Sequence, residues 1–112
     1  MLDRSTHDAL EAFKNGLRRR YGNRLKGVFL FGSRARGNHR ADSDADIAVF
    51  VDQLEDPIEE QLMLVDESYP ILLATGIYIQ PWVFKSDALL SPHQQDNDIP
   101  LLETIRREGV RL

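Results

Sequence analysis

The chain has 112 residues, 42% of them hydrophobic and 29% charged, with a formal net charge of −4. These values describe one globular domain rather than a disordered tail, and the acidic balance excludes a generic nucleic-acid binder, which needs a net basic face. The lack of cysteine excludes disulfides and thiolate metal sites, no apolar run approaches the ~20 residues of a membrane span, and Met1-Leu2-Asp3-Arg4 has no signal-peptide core, so the expected setting is the cytoplasm, away from membranes.

In chain order, Leu10, Phe13, Leu17 and Tyr21 recur at spacings of three and four, which predicts a helix over residues 6–21 with one apolar stripe. Ser5 or Thr6 is suited to cap its start, and Gly22 to end it as a left-handed C-cap. Arg18, Arg19 and Arg20 close the helix, where cations complement its dipole. Lys26-Gly27-Val28-Phe29-Leu30-Phe31 is an apolar run stopped by Gly32 and reads as a buried strand. A second strand is predicted over residues 44–51. Its alternation puts Ile47, Val49 and Val51 on one face, and Asp44, Asp46, Ala48 and Phe50 on the other.

Asp56-Pro57-Ile58-Glu59 combines a cap, a first-position proline and a capping box, so a helix starts there. Ile58, Leu62, Val65 and Tyr69 mark its expected apolar face, and Pro70 is expected to end or kink it before a short continuation, residues 71–75, up to Gly76. A third strand is predicted over residues 77–84, with Pro81 arguing for an edge position or a bulge. Residues 91–98 are polar and read as irregular. A last helix is predicted over residues 99–108, with Leu101, Leu102 and Ile105 inward and Gly109 as its stop. The order α-β-β-α-β-α, free of repeats and linkers, implies one α/β (α+β) domain over residues 1–112, with helices on a small mixed sheet.

The chemistry concentrates in Gly32-Ser33-Arg34-Ala35-Arg36-Gly37, a loop to residue 43, and then Asp44-Ala45-Asp46. A strand runs into Gly32-Ser33, and a short helical turn is expected next. Gly32 lets backbone approach a ligand closely, and the N–H groups of the turn, with the Ser33 hydroxyl, suit a phosphate. Arg34 and Arg36 lie near enough to add positive charge, although a solvated loop explains them, and Arg40, equally well. Residues two apart on a strand point the same way, so Asp44 and Asp46 present paired carboxylates. Mg²⁺ favours few carboxylates plus triphosphate oxygens and water. A phosphate-binding turn beside such a pair suits metal-assisted nucleotidyl transfer. His39 reads as an exposed polar residue, His7 and His93 have no partner at metal-ligand spacing, and Trp82 reads as core or interface packing.

Gly-Ser, ten residues and then Asp-x-Asp resembles the signature of the DNA polymerase β-like nucleotidyltransferase superfamily, and the short length resembles its minimal nucleotidyltransferase (MNT) group. The stretch Ile105-Arg106-Arg107-Glu108-Gly109-Val110-Arg111-Leu112 resembles the end of that group's domains, so the likeness spans residues 29–112. It implies that Ser33 contacts the triphosphate of ATP, that Gly32 permits close approach, and that Asp44 and Asp46 are both catalytic and ligands of Mg²⁺. It also implies a partner, since many proteins of the group act as antitoxins beside a HEPN ribonuclease toxin. They do so either by transferring AMP to a toxin hydroxyl, typically a tyrosine, or by binding and occluding it.

The sequence departs from larger members of the superfamily in one respect. They carry a third carboxylate on a later strand, whereas Ile77-Tyr78-Ile79-Gln80-Pro81-Trp82-Val83-Phe84 has no acid. Gln80 or Tyr78 takes the corresponding position, and Asp87 lies past the strand end. A two-aspartate AMP transferase and a binding-only antitoxin both follow. Nucleotidylation of a small molecule such as an aminoglycoside ranks lower, because 112 residues leave little room for an acceptor-binding domain.

Overall fold

The computed structural model describes residues 3–37, 43–90 and 100–112, so His39, Arg40 and the segment 91–98 with His93 lie outside the described residues. Helix α1 (Arg4–Tyr21) leads through a 3-10 turn (Gly22–Arg24) to strand β1 (Leu25–Phe31), short helix α2 (Ser33–Arg36) and strand β2 (Ala45–Val51). Helix α3 (Pro57–Thr75), strand β3 (Ile79–Lys85), short helix α4 (Asp87–Leu90), helix α5 (Pro100–Glu108) and strand β4 (Val110–Arg111) follow. The sheet order is β3-β2-β1-β4. β1 runs antiparallel to β2 and β4, while β2 and β3 are parallel across the α3 connection. The fold is thus the mixed α/β arrangement that the element order implies.

Alternation along β2 decides what lies on each side of this sheet. Ile47, Val49 and Val51 pack against Leu10, Phe13 and Leu17 of α1 and Leu64 of α3. Ala48 and Phe50 pack on the opposite face with Phe31 and with Leu102 and Ile105 of α5. Burying each large apolar side chain contributes about 1.5–3 kcal/mol. A one-residue slip of β2 would carry Asp46 into the α1–α3 core and expel that set, so the register is strongly held. Pro81 sits on β3, which is an edge strand, where its missing N–H costs no ladder bond.

Four details differ from the sequence expectations. Helix α1 starts earlier, with Asp3 rather than Ser5 or Thr6 at its N-cap. Thr6 is instead buried, its hydroxyl donating to the Asp3 carboxylate. The apolar face of α3 is not the expected one: Ile58, Leu62 and Tyr69 are exposed, and Leu64 and Ser68 are buried. On the inward side, next to Leu64 in the core, the Gln61 amide donates to Pro81 O and its Oε1 accepts from Val83 N–H at 2.9 Å. The Gln61 side of the helix thus satisfies the edge-strand backbone while Leu64 fills the core. α3 also does not end at Pro70, which is exposed, but runs on over the expected continuation to Gly76 with φ +77. Finally, β4 pairs with β1 at Leu30 and Phe29, a two-residue strand too short for periodicity to reveal.

Candidate active site

β1 ends at Phe31, and the chain turns at once through Gly32 (φ +82) into α2. Gly32 O accepts from the N–H groups of Ala35 and Arg36, both at 3.1 Å, so the turn closes directly behind it. Phe31 is the antiparallel partner of Asp46, and Gln80 is the parallel partner of Asp46 on the other side. The start of β2 therefore lies between the Gly32-Ser33 turn and the start of β3. Asp44 precedes the strand and is exposed, while Asp46 is partly buried. The Ala45 N–H donates to Tyr78 O at 2.9 Å and fixes the backbone between the two aspartates.

Both oxygens of Asp46 meet neighbours. The Trp82 indole N–H donates to Oδ1 over 3.4 Å, and Oδ2 lies where a Cβ on Gly32 would come within 2.5 Å. Burial pushes the Asp46 carboxyl above its ordinary value. The Trp82 hydrogen bond opposes this, the negative charge of Asp44 adds to it, and Arg36 opposes it. The site is thus short of positive charge around a partly dehydrated carboxylate.

Arg34 and Arg36 separate in the structure. Arg34 is 3% exposed. Its Nε and Nη2 donate to Ser43 O at 3.0 and 2.8 Å, and its Nη1 donates to the Thr6 hydroxyl at 2.8 Å. Its guanidinium therefore ties α1 to the residue before Asp44, so Arg34 does not lie in a solvated loop. Arg36 stays on the surface, pairing with Glu108 of α5 at 3.0 Å, and its charge reaches Asp46. Ser33 opens α2 beside the pair.

A divalent cation fits this donor set in part. Asp44 and Asp46 are hard oxygen donors whose mutual repulsion a cation would relieve, and Mg²⁺ is commonly held by one or two carboxylates completed by substrate phosphates and water. Among the described residues no group of three or more His, Cys, Asp or Glu side chains could hold a metal. Gln80, beside Asp46, is uncharged, and its amide donates to Pro81 O at 3.1 Å. The sequence reading missed the roles of Trp82 and Arg34. Trp82 was accessible, since it lies two residues after Gln80 and so shares its face of β3. Arg34 was not, because its partners Thr6 and Ser43 come together only in the fold.

Comparison with known proteins agrees with this fold. Residues 17–110 match the family described as "Polymerase beta, Nucleotidyltransferase". A "Putative protein adenylyltransferase" of Methanocaldococcus jannaschii is 35% identical over 72 residues, covering 64% of this chain and 60% of that protein. The chain thus matches under two-thirds of that relative's length. Two solved structures share the fold at 22% identity and a TM-score of 0.58, each with 70% of its chain covered. One is a toxin–antitoxin with AMP-PNP, covering 90% of this chain, and the other a mutant of the toxin–antitoxin MntA-HpeT, covering 91%. With most of the chain inside the family match and Gly32, Ser33, Asp44 and Asp46 gathered at one sheet end, this chain belongs to the polymerase β nucleotidyltransferase family.

Proposed function

We propose that the chain is a Mg²⁺-dependent nucleotidyltransferase that transfers AMP from ATP to a tyrosine hydroxyl of a partner protein, and that the partner is a HEPN-family toxin to which it is the antitoxin. One observation carries the reading: Asp46, held between Gly32 and Trp82, stands beside Asp44 at the end of a strand–turn–strand unit. The likeness to a protein named as an adenylyltransferase and to a toxin–antitoxin with AMP-PNP supports ATP as the donor and a toxin as the partner. No helix among the described residues is long and apolar enough to cross a membrane, and we assign the reaction to the cytoplasm.

In this reading the Ser33 hydroxyl and the first N–H groups of α2 receive the triphosphate, with Gly32 leaving room for it. Arg36 supplies positive charge at the rim. Arg34 acts from inside, holding Ser43 and so the backbone that aims Asp44. Asp44 and Asp46 would hold Mg²⁺, which supplies charge neutralisation at the triphosphate when bound. The acceptor oxygen forms a bond to the α-phosphorus, the bond to the pyrophosphate oxygen breaks, and pyrophosphate leaves. The acceptor proton passes to solvent, because Gln80 stands in the pair's neighbouring position and cannot take it.

Gln80 also supports a second reading, an antitoxin that neutralises its toxin by binding with little or no turnover. Transfer of α-labelled ATP to the co-expressed partner, with wild type and the Asp44→Asn/Asp46→Asn pair in parallel, separates the two. Label with wild type alone is the expected result. No label with either, alongside a stable complex, would replace the transferase with the binding antitoxin.

A further inference from the structure

Helix α3 is apolar on two sides, and the fold covers one. Leu64 is fully buried, yet Ile58, Leu62, Tyr69 and Leu73 are 76%, 62%, 58% and 69% exposed. At about 100° per residue these four fall within about 60° of each other, forming a continuous stripe along a helix about 28 Å long. Apart from Met63 on the same helix and Val110, no other large apolar side chain among the described residues is exposed. A helix that is apolar all round belongs in an interior, and a stripe of this kind marks an interaction surface.

The charge that α3 itself carries is of one sign. α3 carries Glu59, Glu60, Asp66 and Glu67 and no Lys, Arg or His. Glu60 accepts from the Tyr21 hydroxyl, and Glu67 lies against α1 at Gly16. Glu59 and Asp66 are exposed, adjoin the stripe at about 100° and 80° from Ile58, and form no ion pair among the described residues.

We infer that the outer side of α3 docks a helix of a partner protein that presents its own apolar stripe flanked by Lys or Arg. Such a helix would cover the four exposed side chains and place its cations beside Glu59 and Asp66. A second copy of this chain would set those acids against their own counterparts, and an anionic bilayer would meet the same repulsion. Asp46 faces the opposite side of the sheet, with Ala48 and Phe50, so this surface stands independently of the transferase reading.

The test uses the full chain and a labelled synthetic helix of about 18 residues with leucines at i, i+3, i+4 and i+7 and lysines beside them, against the same peptide with glutamates. Fluorescence anisotropy should give saturable binding of the lysine peptide, at least about tenfold tighter than the glutamate peptide. Both Leu62→Ser/Leu73→Ser and Glu59→Gln/Asp66→Asn should weaken it by about tenfold or more, with circular dichroism melts confirming that each variant folds. Absent binding, equal binding of both peptides, or undiminished binding by Leu62→Ser/Leu73→Ser would overturn the proposal. So would sedimentation showing a wild-type dimer that Leu62→Ser/Leu73→Ser dissociates, because a second copy would then occupy the stripe.

Discussion

Gly32 and Asp46 are in contact at the mouth of the sheet, so closely that a Cβ on Gly32 would lie 2.5 Å from Asp46 Oδ2. Gly32 also has φ +82, a conformation L side chains rarely adopt. Alanine at this position meets two obstacles at once. Backbone strain of this kind costs about 1–3 kcal/mol, and the methyl group must push the Asp46 carboxylate aside. Gly32→Ala should therefore lower the thermal midpoint by several degrees and weaken nucleotide binding together. A variant that melts like wild type and binds the nucleotide unchanged would show that the contact is looser than the geometry states.

The two motif arginines should behave oppositely. Arg34 is buried, with three hydrogen bonds to Ser43 O and the Thr6 hydroxyl. Arg34→Met removes these donors from the interior, at about 1–3 kcal/mol for each buried group that loses its bond, so urea denaturation should show a large loss. The Arg36–Glu108 pair is partly solvent-exposed, and such pairs contribute about 0–1 kcal/mol. Arg36→Gln should leave the urea midpoint nearly unchanged and act on nucleotide affinity instead. Equal stability losses in the two variants would contradict this division.

What the sequence made legible follows from the range of each interaction. Strand β1 was readable as an apolar run stopped by Gly32 and β2 by its alternation of residue types, whereas the position beside Asp46, open to Gln80 or Tyr78 in the sequence, is settled as Gln80 only by the strand register. α3 was readable in extent, since Asp56 does cap it, accepting from the Ile58 and Glu59 N–H groups. Its orientation was not. Both sides of α3 are apolar, and the side that turns inward carries Leu64 to the core and Gln61 to the β3 backbone, a contact 20 residues away in sequence. Arg34 illustrates the same limit at the site: in the motif a phosphate contact and a solvated loop explain it equally well, and its bonds to Thr6 of α1 and to Ser43 appear only in the fold.

Asp46 should cost the protein stability when ionised. Its folded-state carboxyl lies above the ordinary value of 3.8, through burial and then through Asp44. The folded state therefore holds this proton to higher pH than the unfolded state, and stability falls as pH rises from about 4 through the folded value. Asp46→Asn removes that loss. The variant should match wild type below about pH 4 and become the more stable protein towards neutrality, as is common for residues kept for function. Mg²⁺ with a non-hydrolysable ATP analogue should raise the wild-type midpoint and leave the Asn variant unmoved. Thermal melts from pH 3 to 8, with and without Mg²⁺ and analogue, measure both effects. A variant less stable than wild type at neutral pH would refute the electrostatic account.

The alkaline limb of the stability curve should belong in part to Tyr21. Its ring is buried, its hydroxyl donates to Glu60 Oε2 at 2.6 Å, and burial followed by this acceptor pushes its ionisation well above the ordinary value of 10.0. The unfolded chain loses this proton first, so it binds fewer protons than the folded state above that value. Stability should then fall with rising pH. Tyr21→Phe leaves the Glu60 oxygen without its buried-side donor, which costs about 1–2 kcal/mol near neutrality, but it removes the alkaline loss at this position. Urea midpoints from pH 8 to 11 should therefore converge, wild type starting higher and declining more steeply. Parallel curves would mean that the Tyr21 hydroxyl ionises alike in the folded and unfolded chains, and that the bond joining α1 to α3 does not hold its proton.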